Sequence, residues 1–233
     1  MRIINHLLNR LLPAQCLVCK KPSDVSGRCL CNDCEGFLAK PEIVCRHCGL
    51  ALKNSHAEIC GQCLKRPPVY DSSWSAWWYE PPVDRLILGL KYQRRLASAE
   101  LLGQLMAEKL LDSDIEMPDA LLPVPLHRNR LWQRGYNQAI ELFRPVSRQL
   151  DIPMINRGVE RSRSTPSQVG MHIRERKRNL KGAFRVNRPL PAHIAIVDDV
   201  ITTGTTVSEL ARALKKAGVE KVQVWSAARA EAR

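Results

Sequence analysis

The fold is decided by one stretch of the chain, which reads Ile194-Ala195-Ile196-Val197-Asp198-Asp199-Val200-Ile201-Thr202-Thr203-Gly204-Thr205-Thr206. An apolar, mostly β-branched run leads into two adjacent carboxylates, and threonines around a single glycine follow. Apolar residues then recur at helical spacing, at Val207, Leu210, Ala211 and Leu214. The stretch therefore predicts a buried strand, a hydroxyl-rich loop and an amphipathic helix that ends near Gly218.

This order of elements suits a phosphate group. A helix N-terminus presents free backbone N–H groups and the positive end of the helix dipole. Gly204 allows a close backbone approach, and Thr202, Thr203, Thr205 and Thr206 offer hydroxyls. Asp198 and Asp199 lie at the carboxyl end of the strand, where open α/β sheets bind ligands; carboxylates there accept hydrogen bonds from sugar hydroxyls or hold Mg²⁺. The loop lacks the Gly-Lys-Ser/Thr of a Walker P-loop.

The same stretch resembles the signature of the type I phosphoribosyltransferases, which is apolar residues, two acids and Thr-Thr-Gly-Thr-Thr. The resemblance implies that Asp198 and Asp199 bind the ribose 2′ and 3′ hydroxyls of phosphoribosyl pyrophosphate (PRPP). It also implies that the loop from Thr202 to Thr206 binds the 5′-phosphate. The alternative is an ordinary strand, turn and helix with solvated acids.

The charge of the chain favours anionic partners. Among 233 residues, 36 Lys and Arg outnumber 23 Asp and Glu, for a net charge of +13. This excess is typical of proteins that bind nucleic acid or phosphate-rich substrates, although a solvated basic surface is the alternative. The N-terminal residues 1–12 are apolar but interrupted by polar side chains, which predicts a short amphipathic helix and neither a signal peptide nor a membrane span. We therefore expect a cytoplasmic protein, in which paired cysteines are metal ligands before they are disulfides.

Eight of the nine cysteines form a duplicated pattern. The pattern Cys-x2-Cys-x11-Cys-x2-Cys occurs twice, and the second copy lies 29 residues after the first. The two sets are Cys16, Cys19, Cys31 and Cys34, then Cys45, Cys48, Cys60 and Cys63. Four thiolates in two knuckles are the ligands of a closed, tetrahedral structural Zn²⁺ site. We expect one Zn²⁺ in each copy, with crossed pairing of the knuckles, the loss of one site or an iron–sulfur cluster as alternatives. Cys29 is predicted to be a spare thiol, and His47 and His56 are not expected to be ligands.

The sequence after Pro67-Pro68 predicts the start of a second unit. The aromatic segment 70–79 predicts a strand whose tryptophans either pack inside the protein, which we favour, or stack on unpaired bases. Helices are expected over Val83–Leu90 and Ala97–Leu111. Lys91 follows the first of them and is either a phosphate ligand or a surface charge.

The middle of the chain is strongly basic. A short strand is predicted at 120–126, followed by a turn that carries Arg128, Arg130 and Arg134 and leads into a helix near Gln138. Guanidinium groups in this position can hold a pyrophosphate, and a solvated loop is the alternative. The basic segment 157–178 predicts a long functional loop that either closes over a substrate or binds nucleic acid. A last strand is expected at 222–227.

Several further motifs sharpen the resemblance. They are Pro123-Val124-Pro125-Leu126, Arg134-Gly135-Tyr136-Asn137-Gln138, Thr165 with Gln168, Arg178-Asn179 and Gly182-Ala183-Phe184. With the four Cys-x2-Cys pairs, this order resembles the ComF/GntX family over nearly the whole chain. The resemblance implies a double zinc ribbon before a phosphoribosyltransferase domain, and a link to DNA uptake in competence or to the use of external DNA.

We therefore predict a mainly parallel α/β sheet flanked by helices, with a zinc-ribbon module at 1–66 and a phosphoribosyltransferase-like domain at 67–233. The first hypothesis is a transferase of unknown acceptor that binds Mg²⁺–PRPP. The two acids would bind the ribose, the threonine loop would bind the 5′-phosphate, and Arg134 and Lys91 would bind the pyrophosphate. The second is a single-stranded-DNA-binding protein whose PRPP site is regulatory or vestigial. The third is a regulator that binds PRPP and a protein partner, such as a DNA-processing protein.

Overall fold

A four-stranded parallel sheet forms the centre of the protein in a computed structural model that describes residues 14–25, 27–39, 42–54, 56–161 and 182–231. The strands lie in the order β1–β6–β5–β2. Their bounds are Ser72–Trp78 for β1, Ala120–Pro123 for β2, His193–Ile201 for β5 and Lys221–Arg229 for β6. All four were expected from the sequence, and the parallel α/β fold class is confirmed.

Strand β5 is one of the two inner strands of the sheet, and both of its faces are apolar. Ile194 and Ile196 pack on one side of the sheet, and Ala195 and Val197 pack on the other; all four are fully buried. A strand covered on both faces needs a continuous apolar run instead of an alternating one. The buried apolar run ends directly before Asp198, which lies towards the carboxyl end of the strand.

Helices cover both faces of the sheet. The helices are α1 (Asn32–Gly36), α2 (Gly61–Lys65), α3 (Val83–Gln93), α4 (Leu96–Leu111), α5 (Arg128–Arg134), α6 (Gln138–Gln149) and α7 (Thr205–Lys216). Helices α3, α4 and α6 bury one face, whereas α7 buries the other together with a hairpin of β3 (Val159–Arg161) and β4 (Phe184–Val186). The result is three layers, helix, sheet and helix.

The tryptophans of β1 are packing residues. Trp77 is fully buried, and the ring of Trp74 lies edge-on to Trp225 at 6.2 Å between centroids. The favoured prediction, packing inside the protein, agrees with these contacts. The alternative, that this segment stacks on unpaired bases, does not fit the burial of Trp77.

Two local elements differ from the sequence prediction. The basic turn after β2 contains a helix, α5, in which no residue is buried. The basic segment 157–178 begins with a short strand, β3, and its residues from 162 onward lie outside the described part of the chain, as do residues 1–13 with the predicted N-terminal helix. The predicted turn into α6 is present, since Gly135 has a φ of 82° and the side chain of Asn137 accepts a hydrogen bond from the N–H of Ala139 at 3.0 Å.

The two cysteine modules dock on the sheet and its helices in different ways. In the first, Cys16, Cys31 and Cys34 belong to the apolar cluster of Trp77, and Arg28 forms an ion pair with Glu108 of α4. In the second, the carbonyl of Arg46 accepts a hydrogen bond from the N–H of Ser73 in β1, at 2.9 Å. Among the described residues, no helix combines the length and hydropathy that a membrane crossing requires.

Candidate functional site

The threonine loop joins the carboxyl end of β5 to the N-terminus of α7. Gly204 is the residue before the helix and has a φ of 70°, a left-handed backbone conformation that is strained in a residue with a side chain. A Cβ at Gly204 would also lie 3.3 Å from the hydroxyl of Tyr70. Thr202 and Thr203 are exposed, and the Oγ1 atoms of Thr203 and Thr205 lie 2.8 Å apart. Because the first turn of a helix has no internal acceptors for its N–H groups, the loop presents both hydroxyls and amides at one place.

The paired acids meet a lysine from another element. The ammonium of Lys91, at the C-terminal end of α3, lies 2.9 Å from Oδ1 of Asp199, and both side chains are largely buried. The predicted alternative that Lys91 is a surface charge is therefore wrong. Burial disfavours the charged amine, but the charge and hydrogen bond of Asp199, together with the charges of Asp198 and Tyr79, outweigh it, so the pKa of Lys91 is raised.

Asp198 has a strongly altered pKa. Burial and the neighbouring charge of Asp199 raise its pKa to about 7, against the opposing effects of the Asp199 N–H and of Lys91 and Arg161. The Oδ1 atom of Asp198 accepts a hydrogen bond from the N–H of Asp199 at 2.9 Å. Two carboxyl groups this close suit hydroxyl donors or a hydrated Mg²⁺, and a bound cation would favour the ionised form of Asp198.

Arg161 was not singled out from the sequence, yet its charge acts on Asp198. It lies at the end of β3, and its guanidinium stacks over the ring of Phe184 at 5.9 Å. It also lies close enough to Arg130 for the two charges to interact. No local signal in the sequence distinguishes Arg161 from its basic neighbours, because the hairpin of β3 and β4 is what brings it to the acids.

Arg134 contacts the residue that follows Lys91. Its guanidinium stacks over the ring of Tyr92 at 5.6 Å, one residue beyond Lys91. The adjoining Tyr136 and Asn137 are structural: their side chains donate hydrogen bonds to the carbonyls of Leu90 and Val124, respectively. The predicted site residues Asp198, Asp199 and Lys91 thus converge, while Arg134 of α5 lies against Tyr92, the residue after Lys91.

The two cysteine sets form two separate clusters. In each of them, the four Sγ atoms lie within 4.8 Å of one another, and the sets are Cys16, Cys19, Cys31, Cys34 and Cys45, Cys48, Cys60, Cys63. The Sγ separations Cys19–Cys31 and Cys48–Cys60 are both 3.7 Å. A tetrahedron with Zn–S bonds of about 2.3 Å has edges of about 3.8 Å, so the donors fit Zn²⁺. The sequential pairing is confirmed, and Cys29, His47 and His56 lie outside both clusters.

The thiols also show why a cation belongs in each cluster. Although burial favours the neutral thiol, nearby backbone N–H groups lower the pKa of Cys16 to about 6 and of Cys45 to about 7. Burial and the other sulfurs raise the pKa of Cys34 and Cys63. Four crowded thiols therefore cannot all ionise together without a positive charge among them, which Zn²⁺ supplies.

A cleft of about 1110 Å³ lies between the second cysteine module, the threonine loop and α7. Its walls include Tyr70, Thr203, Thr205, Arg212 and Arg229. Arg229, at the end of β6, was not identified from the sequence either.

Comparison with known proteins agrees with both halves of this description. Residues 7–64 match a family described as a double zinc ribbon domain, and residues 137–233 match a phosphoribosyl transferase domain. DNA utilization protein YhgH of Escherichia coli (strain K12) is 37% identical over 219 residues, which cover 92% of this chain and 96% of that protein. Competence protein F of Haemophilus influenzae is 38% identical over 224 residues, covering 93% and 97%.

Two further proteins are similar at lower sequence identity. Competence protein ComFC of Bacillus subtilis is 26% identical over 231 residues, covering 87% of this chain and 89% of that protein. A structure of Leishmania donovani UMP synthase aligns with 60% of this chain and 22% of its own, at 16% identity and a TM-score of 0.32, which is too low to support any conclusion.

The fold and the two cysteine clusters define a double zinc ribbon protein with a phosphoribosyl transferase domain. Within that class, the chain belongs to the ComF/GntX family, whose members include DNA utilization protein YhgH and Competence protein F. The family predicted from the sequence is confirmed, together with its link to competence and DNA utilisation.

Proposed function

We propose that the protein binds Mg²⁺–PRPP at the carboxyl end of β5 and acts as a phosphoribosyltransferase. The observation that supports this most is the arrangement of Asp198 and Asp199 directly before a glycine-led threonine loop at the N-terminus of α7. The acids accept hydrogen bonds from the ribose hydroxyls. The hydroxyls and amides of the loop, from Thr202 to Thr206, hold the 5′-phosphate.

The ion pair of Lys91 and Asp199 suggests how the pyrophosphate is received. Lys91 neutralises Asp199 through an ion pair of 2.9 Å. When ribose hydroxyls bind the carboxylate of Asp199, the ammonium of Lys91 would turn to the pyrophosphate. Arg134 of α5, which stacks on the neighbouring Tyr92, would supply a second cation. Bound Mg²⁺ would neutralise charge on the departing pyrophosphate. The chain's own part is to position the ring and phosphates so that a nitrogen nucleophile can reach C1′ while the C1′–O bond to pyrophosphate breaks.

Calorimetry with Mg²⁺–PRPP tests the proposal. We expect binding by the wild type and a loss of affinity of at least about tenfold in the double variant Asp198→Asn, Asp199→Asn, because hydrogen bonds to charged acceptors are lost. Asp119→Asn is the matched control, since Asp119 accepts a hydrogen bond from His193 at the opposite end of β5. If the wild type released no heat at millimolar PRPP, or if the control lost as much affinity as the double variant, the proposal would fail.

A panel of nucleobases and amines with pyrophosphate release as the readout would then identify the acceptor. Release with one acceptor only would establish transfer. Binding of PRPP without release for any acceptor would favour the regulator, in which PRPP is a signal.

A second candidate function, binding of single-stranded DNA, has one specific observation in its favour. Trp132 on α5 is 88% exposed, and this helix buries none of its residues and carries Arg128, Arg130 and Arg134. An exposed indole among guanidinium groups is suited to stacking on unpaired bases beside phosphates. In this candidate function the stacking residue is Trp132 and not one of the tryptophans of β1.

Fluorescence titration with an oligothymidylate distinguishes the two candidates. We expect Trp132→Ala to weaken strand binding by about tenfold or more, the effect typical of one lost base stack, and to leave PRPP binding unchanged. Binding should also fall steeply with salt, because phosphate contacts release counterions. Equal strand affinity of wild type and variant would exclude α5 as the strand-binding surface.

A further inference from the structure

Arg229 connects the second cysteine cluster with the threonine loop. It is the last residue of β6, and only 3% of it is exposed. Its Nε donates a hydrogen bond to the carbonyl of Cys48 at 2.9 Å. Its Nη1 donates to the carbonyls of Ile201, at 2.8 Å, and Thr202, and shares its two hydrogens with the carbonyl of Ala230, at 2.9 Å. One guanidinium group therefore contacts the backbone of a metal-ligand residue and the backbone at the start of the proposed phosphate loop.

The contacts on Ile201 and Thr202 fix the direction of the loop amides. A peptide unit is planar and trans, so its N–H points opposite to its C=O. The carbonyl of Ile201 shares a peptide plane with the N–H of Thr202, and the carbonyl of Thr202 shares one with the N–H of Thr203. The carbonyl of Ile201 also accepts a hydrogen bond from the N–H of Ala230, at 2.9 Å, so Arg229 and the sheet together direct the N–H of Thr202. The contact of Arg229 on the carbonyl of Thr202 directs the N–H of Thr203 to the same side. A charged donor on each carbonyl also polarises the peptide unit and strengthens its N–H as a donor.

The contact on Cys48 depends on the fold of the second module. Gly49, the next residue, has a φ of 70°, and a Cβ there would lie 3.2 Å from Oγ of Ser73 and 3.5 Å from Cδ of Arg229. The equivalent residue of the first module is Lys20, which has a φ of 66° and is exposed. The second module thus has a glycine where its backbone meets Arg229, whereas the first module carries a full side chain at the same left-handed position.

We propose that Arg229 is a positioning residue for the phosphate loop and that it makes the loop geometry depend on Zn²⁺ in the second cysteine cluster but not in the first. This inference rests on the proposed PRPP site for its functional meaning. The geometric part, control of the loop backbone by the second cluster, stands on the contacts of Arg229 alone. The first cluster contacts α4 and the core of the sheet instead, through Arg28 and its buried cysteines.

Hydrogen exchange at the amides of Ala230 and Ser208, which donate hydrogen bonds to the carbonyls of Ile201 and Gly204 at the two ends of the loop, measures the inference without a ligand. The exchange rate of these two amides is termed loop exchange. In Arg229→Met, we expect these amides to exchange about tenfold faster or more than in wild type, because charged hydrogen bonds that fix the loop are lost. The Zn²⁺ content should stay at two per chain. Arg229→Lys should restore little, since one ammonium cannot replace a fork that spans two segments. Arg28→Met is the matched control, because Arg28 also joins a cysteine module to the rest of the protein, at Glu108.

Single-cluster variants test the dependence on zinc. Cys60→Ser and Cys31→Ser occupy the same position of the repeat, and each should leave one Zn²⁺ per chain. We expect loop exchange to be faster in Cys60→Ser only. The inference is overturned if Arg229→Met and Arg229→Lys leave loop exchange at the wild-type rate, or if Arg28→Met and Cys31→Ser accelerate it as much as their counterparts do.

A titration of Mg²⁺–PRPP separates this inference from the proposed function. If the proposed site is correct, Arg229→Met should weaken PRPP binding while keeping both Zn²⁺ ions. If the wild type does not bind PRPP but the loop responds to Arg229 and Cys60 as expected, the proposed function fails and the positioning role stands. If PRPP binds the wild type and Arg229→Met alike, with unchanged loop exchange, the positioning role fails alone.

Discussion

Asp198 combines a placement suited to ligand binding with a cost to stability. Its carboxylate is held beside that of Asp199, and burial together with this neighbouring charge raises its pKa from 3.8 to about 7. The native state therefore binds a proton between about pH 4 and pH 7 that the unfolded chain has already released. By linkage, the free energy of unfolding falls as the pH rises through this range, by at most about 1.4 kcal/mol per pH unit for one proton.

The variant Asp198→Asn tests this at the residue scale. Asparagine is neutral at every pH, so the variant should resemble the wild type near pH 5 and unfold at a higher temperature than the wild type near pH 8. The measurement is the difference in Tm between the two proteins at pH 5, 6, 7 and 8, in which the other titrating groups cancel. A difference that does not change with pH, or that favours the wild type increasingly as the pH rises, contradicts the raised pKa.

The elements of this protein differ in how much of them the sequence determines. Strand β5, the threonine loop and α7 were predictable because burial on two faces, helical spacing and a stop at Gly218 all act locally. Arg161 and Arg229 were not, because β3 and β6 place them against partners 28 or more residues away, at Asp198 and at Ile201 and Cys48. Helix α5 was missed because it buries none of its residues, so no apolar period marks it.

Packing of α4 against α6 gives a prediction at the element scale. A Cβ on Gly103 of α4 would lie 2.5 Å from the carbonyl oxygen of Leu142 and 2.6 Å from Cγ of Pro145, both on α6. The sequence predicted α4 but not this close approach, which depends on where α6 lies. Gly103→Ala must push the helices apart, and we expect it to destabilise the fold by about 1–3 kcal/mol despite the better helix propensity of alanine.

Gly61→Ala in α2 is the matched control, because a Cβ at Gly61 meets nothing within 4 Å. Thermal unfolding of both variants gives the comparison. The expected order is a clear decrease in Tm for Gly103→Ala and no decrease for Gly61→Ala. Equal Tm values for Gly103→Ala and wild type would mean that the helices separate at little cost.

At the scale of the whole molecule, the two cysteine clusters have different structural settings despite their repeated sequence. The repeat extends to the backbone, since Cys16 and Cys45 accept equivalent hydrogen bonds from Lys20 and Gly49, at 3.0 and 2.8 Å. The sequence established this duplication but could not reveal how each copy docks, because docking depends on the sheet.

The first cluster should therefore matter more for global stability than the second. Cys16, Cys31 and Cys34 pack in the same apolar cluster as Trp77 and α4, whereas Cys45 and Cys63 belong to neither of the large apolar clusters among the described residues. Loss of Zn²⁺ from the first site leaves crowded thiols inside the apolar cluster that contains Trp77, and the metal's contribution to folding is lost there directly.

We expect Cys31→Ser to lower the Tm of the whole protein more than Cys60→Ser does, with one Zn²⁺ retained in each. Near-ultraviolet circular dichroism during thermal unfolding follows the tertiary packing, and a larger decrease for Cys60→Ser would show that the second module, held by Ser73 and Arg229, is the stronger support of the fold.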